Sequence, residues 1–513
     1  MSRQRNQEIE VKFTCDAATL SRVLQADVLR ASGSHQERLL RATYYDTADV
    51  RLKKARAVLR VRTTDGKDPV LCFKSMAPDQ ATSFQRSEIE VPTPQGLVDI
   101  SLFDSPTAKL LKRLSGTKPL VAQFDVDVKR QTFCVTHRQA KIEISADVGE
   151  VKSPRKTAPI LELELELKSG EEASLYDLAL HLAREFSLSL SFMTKSDRGF
   201  RLLGKAEDIP LVSKLPELSP DMSLDDVIRL CLSHAVYHFT FNWHAPMVEH
   251  SPDAIHQMRI ALRKLRTFVS VFSTSFECHE FDDMKRQAGA IAQSLGNARS
   301  LDVLDEALPD LILSAKLTKR DEGLLHKILA KQRSTAAGEI SRLFLSAPVT
   351  QFVLQAQHII TARVWNPSGA VDFSKGTPRS SQDFAIHALS KLRARVLKRG
   401  RKFENLSMEQ LHSVRLSLKA LNNVSTAFAG LISNTRDAKD FDDARLRLQQ
   451  GLGRLNDSVF SLRFFEELAE SEDGATKAAA KILIRKLKKD QASLKLKLHK
   501  RWKSFKKAKP HWV

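Results

Sequence analysis

Residues 8–13 read Glu-Ile-Glu-Val-Lys-Phe, and the pattern of these six constrains the fold more than any other feature of the chain. On an extended backbone, residues i, i+2 and i+4 share a face. Glu8, Glu10 and Lys12 therefore lie on one side, with Ile9, Val11 and Phe13 on the other. The device returns with Arg60 and Arg62 in LRVR, Glu88 and Glu90 in SEIEV, and Glu162, Glu164 and Glu166 in LELELELK. Lys74, Arg86, Arg130, Glu143 and Asp147 sit in similar surroundings. Period two predicts strands at 8–13, 42–46, 58–63, 69–74, 85–91, 121–133, 141–148 and 160–168, with short helices near 17–29, 104–114 and 173–186. An antiparallel sheet with one wet face also alternates, but wet faces mix Thr, Ser, Gln and Lys. Same-face runs of Glu, Arg and Lys on many strands need opposite charges across from them. Closing the sheet with its charges inward satisfies that need, and a barrel of about eight strands encloses a small ligand.

Such an interior suits a chain of phosphates. Carboxylates bind Mg²⁺ or Mn²⁺ through hard oxygens, and Arg and Lys clamp phosphoryl oxygens. Phosphoryl transfer asks for positioning and charge neutralisation more than for a covalent nucleophile. The chain has no G-x-x-x-x-G-K-[ST], H-E-x-x-H or G-x-S-x-G run that would support another chemistry.

After about residue 205 the period changes. The stretch 206–222 carries three prolines and reads as a linker. Beyond it the pattern is helical almost to the end, apart from a polar loop at 366–381. His256-Gln-Met-Arg259 is echoed by His412-Ser-Val-Arg415, and Leu295-Gly296-Asn-Ala-Arg299 by Leu452-Gly453-Arg-Leu-Asn456, at nearly equal spacings that mark an internal duplication. On a helix, His256, Arg259, Arg263 and Arg266 form one stripe. His412, Arg415 and Lys419 repeat it, with Asn422 where another arginine would stand. Two such stripes suggest helices facing one anionic ligand. Metal binding fits these histidines poorly, since cations surround them.

With 513 residues, 42% hydrophobic and 28% charged, the chain is expected to form two or three globular domains. The net charge of +20 points to a polyanionic partner. Residues 1–205 hold 33 basic and 27 acidic residues, whereas from Ala475 onward 14 basic residues meet Asp490 alone. That tail mixes Lys with Leu and Ile at helical spacing and reads first as a packed helix with a basic outer face, with a membrane-surface helix or a nucleic-acid-binding segment as the alternatives. No apolar run is long enough for a membrane span, no secretory signal opens the chain, and five scattered cysteines suggest a reducing, cytoplasmic setting.

Residues 6–205 resemble the CYTH domain, the triphosphate tunnel metalloenzyme family. The resemblance rests on E-x-E-x-K at Glu8, YYDT at Tyr44, LRVR, FK at Lys74, R-x-E-x-E at Arg86, IEISADVG, ELELELKSG and K-S-D-R-G from Lys195. It implies an eight-stranded antiparallel tunnel barrel. Glu8, Glu10, Asp147, Glu164 and Glu166 would face Mg²⁺ or Mn²⁺. Lys12, Arg60, Arg62, Lys74, Arg86, Arg130 and Lys195 would hold the phosphates. Glu8, Glu10, Lys12, Lys74, Glu88 and Glu90 form the expected catalytic set, and Glu162, the outer member of its triplet, falls outside the metal set. Residues 223–505 resemble the CHAD domain, an all-α bundle of two repeated four-helix units. That resemblance implies binding of inorganic polyphosphate through His256, Arg259, Arg263, Arg266, His412, Arg415 and Lys419. The second copy departs from the family at Asn422-Asn423.

The fold class expected is thus α+β, a β tunnel followed by a helical bundle, in a cytoplasmic protein associated with polyphosphate. The activity expected is metal-dependent hydrolysis of inorganic triphosphate to pyrophosphate and phosphate. Alternatives are a thiamine or nucleoside triphosphatase and a non-catalytic polyphosphate scaffold. Nucleic acid is disfavoured, because Tyr and Trp number only four each. Every expected catalytic group precedes the linker, so residues 1–205 should carry the activity alone.

Overall fold

The structure is a computed structural model that describes residues 6–30, 35–75, 84–205, 210–243, 251–276, 278–366, 380–432, 438–470 and 473–512. The chain divides into two compact units. One comprises Met1–Leu211, Thr240–Val248 and Leu343–Ala362; the other comprises Val212–Phe239, Glu249–Arg342 and Arg363–Val513.

In the first unit the alternating segments form strands β1 (Asn6–Thr14), β2 (His35–Asp46), β3 (Ala57–Thr64), β4 (Lys67–Ser75), β5 (Gln85–Pro92), β6 (Val121–His137), β7 (Ala140–Lys152) and β8 (Thr157–Ser169), followed by a two-residue β9 (Ser189–Leu190). Their order is β5-β4-β3-β2-β6-β7-β8-β1-β9, and a further β1–β5 pairing closes β1–β8 into an antiparallel barrel. Register sets the interior. Glu8 stands opposite Arg86, Glu10 opposite Glu166 and Lys12 opposite Glu164. Likewise Lys74 faces Glu88, Arg130 faces Asp147, and Asp147 faces Glu162. Residues paired across an antiparallel ladder share a face, so the charges gather inside.

The apolar outer face is covered by short helices: α1 (Ala17–Leu24), α2 (Asp27–Arg30), α3 (Arg51–Lys54), α4 (Ser105–Ser115) and α5 (Glu172–Phe186). Leu52 of α3 and Leu111 of α4 pack with Leu59, Leu71 and Phe73 of β3 and β4. The stretch 17–29, expected as one helix, breaks at Gln25 into α1 and α2. Helix α6 (Lys195–Leu202) was not expected as a helix; Thr194 and Asp197 start it with a reciprocal capping box. Its Phe200 packs edge-on against Phe124, 5.2 Å between centroids. A Cβ on Gly199 would lie 2.2 Å from the Phe124 ring, so no larger residue fits there.

The remaining helices are α7 (Leu224–Phe241), α8 (Pro252–Phe272), α9 (His279–Ala315), α10 (Lys319–Phe344), α11 (Ala347–Thr361), α12 (Ser381–Arg399), α13 (Met408–Ala427), α14 (Ala438–Leu468) and α15 (Gly474–Lys507). Chain order matches the duplication, with α7–α10 and α12–α15 as two sets of four. The helix left over, α11, belongs to the barrel's unit. Its buried Val349, Phe352, Val353 and Ile360 make an apolar face that packs on α5, each such side chain contributing ~1.5–3 kcal/mol by burial. The barrel unit is thus larger than residues 1–205.

Of the expected linker, residues 206–209 lie outside the described residues, and 210–223 form neither helix nor strand. Most of the expected loop at 366–381 also lies outside them. Both Leu-Gly pairs of the duplication sit inside helices, in α9 and α14. Gly296 lets Arg259 come close, since a Cβ there would stand 3.0 Å from its guanidinium. α15 buries Leu483, Leu487, Leu498, Trp502 and Phe505 and turns most of its lysines outward. Among the described residues no helix is long and apolar enough to cross a membrane.

Candidate active site

The inward side chains of all eight barrel strands and the start of α6 line one cavity of about 390 Å³. All fourteen barrel residues given a catalytic, phosphate-binding or metal role from the sequence line it: Glu8, Glu10, Lys12, Arg60, Arg62, Lys74, Arg86, Glu88, Glu90, Arg130, Asp147, Glu164, Glu166 and Lys195. Arg38, Glu143 and Lys168 complete a lining of nine cations and eight carboxylates among the described residues.

The charges interlock. Lys74 lies 2.7 Å from Glu8 and 2.9 Å from Glu88. Arg62 reaches Glu90 at 2.7 Å, and Arg60 reaches Glu88 at 3.3 Å. Lys12 bridges Glu10 at 3.2 Å and Glu164 at 2.8 Å. Arg130 grips Asp147 through two bonds and also touches Glu164. Lys195 binds Asp147, Glu162 and Glu164 at 2.7, 2.9 and 2.7 Å. The Nε donors of Arg60 and Arg62 are buried without a partner among the described residues, and Arg86 makes no ion pair among them, so donors remain for an anion.

These fields split the carboxylates. Burial would raise Glu164, but Lys12, Lys195 and Arg130 outweigh it and hold it well below the usual carboxylate range. Glu88 is held low in the same way, against burial, by Lys74 and Arg60. Glu8 goes the other way: burial, helped by Glu10 and Glu88, lifts it to about 7 against the pull of Lys74.

Ligand atoms of Asp147, Glu162 and Glu164 lie within 4.8 Å of one another. Three hard oxygen donors fit Mg²⁺ or Mn²⁺. Cys72, Glu88 and Glu90 lie equally close, but burial pushes the Cys72 thiol up to about 12. It stays protonated and donates to Glu88 at 2.8 Å, so this group is a poor hard-metal site. Glu166 stands apart from both groups, paired with Lys168 at 2.7 Å.

Glu162, set aside in the sequence, is fully buried and carries Arg198 and Lys195. The signal was present, because it shares the face of Glu164. Arg38 was also missed; it lies two and four residues before Leu40 and Ala42, which line the same cavity.

In the helical unit, α8 and α13 face each other, with the Asn423 amide donating to Thr267 Oγ1 at 3.3 Å. Here the charges do not balance. Burial first, then Arg299, Arg263 and Lys419, pushes His256 down to about 4. Burial with Arg263 and Arg415 pushes Lys419 down to about 7, and burial with Arg415 and Arg259 lowers Arg263 to about 10. Asp457 is the acid that acts on Arg415 and Lys419. The Nε donors of Arg263 and Arg415 are buried without partners among the described residues. Asn422, where the second stripe lacks a cation, accepts a hydrogen bond from Arg445 of α14. His412 is exposed and holds Asn456 at 2.7 Å. Arg263 and Arg266, with Lys285, Lys391, Arg395 and Arg399, line a cavity of about 290 Å³.

A closed antiparallel barrel with a salt-bridged interior, joined to a duplicated helical unit, defines the class as a two-module tunnel-barrel protein. Comparison with known families places the chain within it. Residues 6–200 match the CYTH domain and residues 226–466 match the CHAD domain; the chain belongs to the proteins that join a CYTH domain to a CHAD domain. It is 25% identical to an inorganic triphosphatase of Haemophilus influenzae over 314 residues, which are 58% of this chain and 85% of that protein. The CHAD domain of the plant Ricinus communis is similar in fold, with a TM-score of 0.50 and 22% identity over 59% of this chain and 98% of that one.

Proposed function

We propose that this protein is a metal-dependent hydrolase that splits inorganic triphosphate, with water, into pyrophosphate and phosphate inside the barrel. The tunnel lining of interleaved cations and carboxylates carries the reading. The cations exchange carboxylate partners for phosphoryl oxygens when the substrate enters. Lys12, Arg130 and Lys195 all bind Glu164, so their departure frees Glu164, Asp147 and Glu162 as ligands. Mg²⁺ or Mn²⁺ bound by these carboxylates and by Glu8 and Glu10 would neutralise phosphate charge and activate water. Arg60, Arg62, Lys74 and Arg86 orient the chain of phosphates. Burial lifts Glu8 to about 7, so its charged form is costly until a cation joins it, which suits a metal-facing carboxylate. The relationship to a Haemophilus inorganic triphosphatase supports the same substrate. A thiamine or nucleoside triphosphate needs a ring to stack on, and Tyr44 is the sole aromatic among the described residues that line the cavity; Tyr44 itself stacks on Phe124 at 4.8 Å.

The helical unit binds inorganic polyphosphate at the α8–α13 cluster. Buried, uncompensated cations with orphaned donors are costly until an anion joins them. Residues 6–205 supply the catalytic groups, 206–222 are the linker, and 223–505, apart from the stretches 240–248 and 343–362 that belong to the barrel's unit, form the binding domain of a cytoplasmic enzyme. Phosphate release from triphosphate, pyrophosphate, ATP, thiamine triphosphate and long polyphosphate, with and without Mg²⁺ or Mn²⁺, tests the activity. Release from none of them makes the barrel a scaffold. Retention on long polyphosphate by a chain with Arg259, Arg263, Arg415 and Lys419 changed to Ala, compared with one ending at Gly474, tests the second site. If only the truncation abolishes retention, the α8–α13 assignment fails.

A further inference from the structure

The segment 189–194 reaches the tunnel by two attachments of different origin. On its inner side, Leu190 and Ser189 pair with Phe13 and Thr14 of β1, and Ser191 donates its N–H to the Lys12 carbonyl at 2.8 Å. Thr194 then caps α6, and the next residue is Lys195, whose ammonium sits among Asp147, Glu162 and Glu164. Phe192 and Met193 also wall a recess of about 20 Å³ beside Glu8 and Glu10, room for one water.

On its outer side the segment is held by residues well downstream of the barrel strands. The Leu190 N–H donates to Thr350 Oγ1 at 2.9 Å, and Ser189 Oγ donates to the Leu345 carbonyl at 2.8 Å. The Phe192 ring lies 5.5 Å from Trp243, which lies 4.9 Å from Phe344. Thr350, Trp243 and Phe344 are all fully buried. A buried N–H such as that of Leu190 needs an acceptor, and here a side chain of α11 supplies it.

We infer that Thr350 is a positioning residue for the proposed triphosphate site: its hydroxyl fixes β9, and through β9 the Thr194 cap and the Lys195 ammonium. This rests on the triphosphate reading. A misplacement of about 1 Å at a binding group is enough to cost activity, and Lys195 holds phosphate before and during reaction, so the loss falls on KM.

The test uses the full chain with Thr350→Val, which keeps shape and removes the acceptor, and Thr350→Ser, which keeps the oxygen. T350V should raise KM for tripolyphosphate by roughly five-fold or more with kcat within about two-fold, and T350S should restore it. Hydrogen exchange at the amides of residues 190–195 reads the clamp without substrate: faster in T350V, unchanged in T350S. A T350V chain with wild-type KM and wild-type exchange overturns the inference, as does a T350S chain as impaired as T350V. Should T350V fail to fold, S189A removes the neighbouring bond, and unchanged KM and exchange there overturn it. A wild-type chain that releases no phosphate from tripolyphosphate overturns the substrate reading instead, and the exchange data still decide the clamp.

Discussion

Arg130 faces Asp147 across the β6–β7 ladder and holds both oxygens of this fully buried carboxylate, at 2.7 and 2.6 Å. A guanidinium fork does this; an ammonium cannot. Arg130→Lys should therefore keep the barrel folded and raise KM for triphosphate by about ten-fold, seen in steady-state kinetics. Arg130→Ala should also lower stability in urea by on the order of 3 kcal/mol, the smaller end of buried-pair losses, because Lys195 still pairs with Asp147.

Glu8→Gln and Glu10→Gln should each nearly abolish metal-dependent phosphate release. Thermal stability should be unchanged or higher for Glu8→Gln, because the carboxylate it removes is buried beside Glu10 and Glu88. Wild-type turnover in both variants would reduce the opening strand to an ordinary polar face.

Chain length should matter. Cations for phosphate come from β1, β3, β4, β5, β6 and α6, a spread that a two-phosphate anion leaves partly unused. Triphosphate should exceed pyrophosphate in kcat/KM by roughly 100-fold, since interactions with the remote group act at the reacting centre. Equal values would contradict the tunnel assignment.

The α8–α13 cluster should respond to pH with a definite sign. Burial, Arg263 and Arg415 depress Lys419 to about 7 from its ordinary 10.5. As pH rises through about 7, Lys419 loses its charge, so affinity for polyphosphate should fall. At pH 8, binding should take up a proton, measured as a buffer-dependent heat in titration calorimetry. Without anion, the unfolded chain binds the extra proton between about 7 and 10.5, so this group's contribution to stability rises with pH across that window. Proton release on binding would contradict the assignment.

The barrel was largely legible because its inward charges keep strict period two. Glu8, Glu10 and Lys12, or Arg60 and Arg62, declare their face without help. β2 begins at His35 although only 42–46 alternate, because the exposed run HQERLLR gives no hydrophobic period. β9 has two residues and no pattern to read. α6 was legible as a motif and not as a helix, since its charged side chains serve the tunnel and leave little apolar stripe. Partner identity was out of reach: that Asn422 meets Arg445, or that Leu190 meets Thr350, depends on packing between distant segments, which local period does not encode.

The barrel's unit draws in residues 343–362, and this has a consequence for synthesis. All eight strands that close the barrel have been synthesised by Ser169, yet the apolar face of α5, which ends at Phe186, waits for α11, which begins only at Ala347. During that interval the nascent barrel carries an uncovered greasy helix. A chain cut at the module boundary would carry it permanently, so the 1–205 fragment should aggregate unless residues 343–362 are supplied in trans or grafted on.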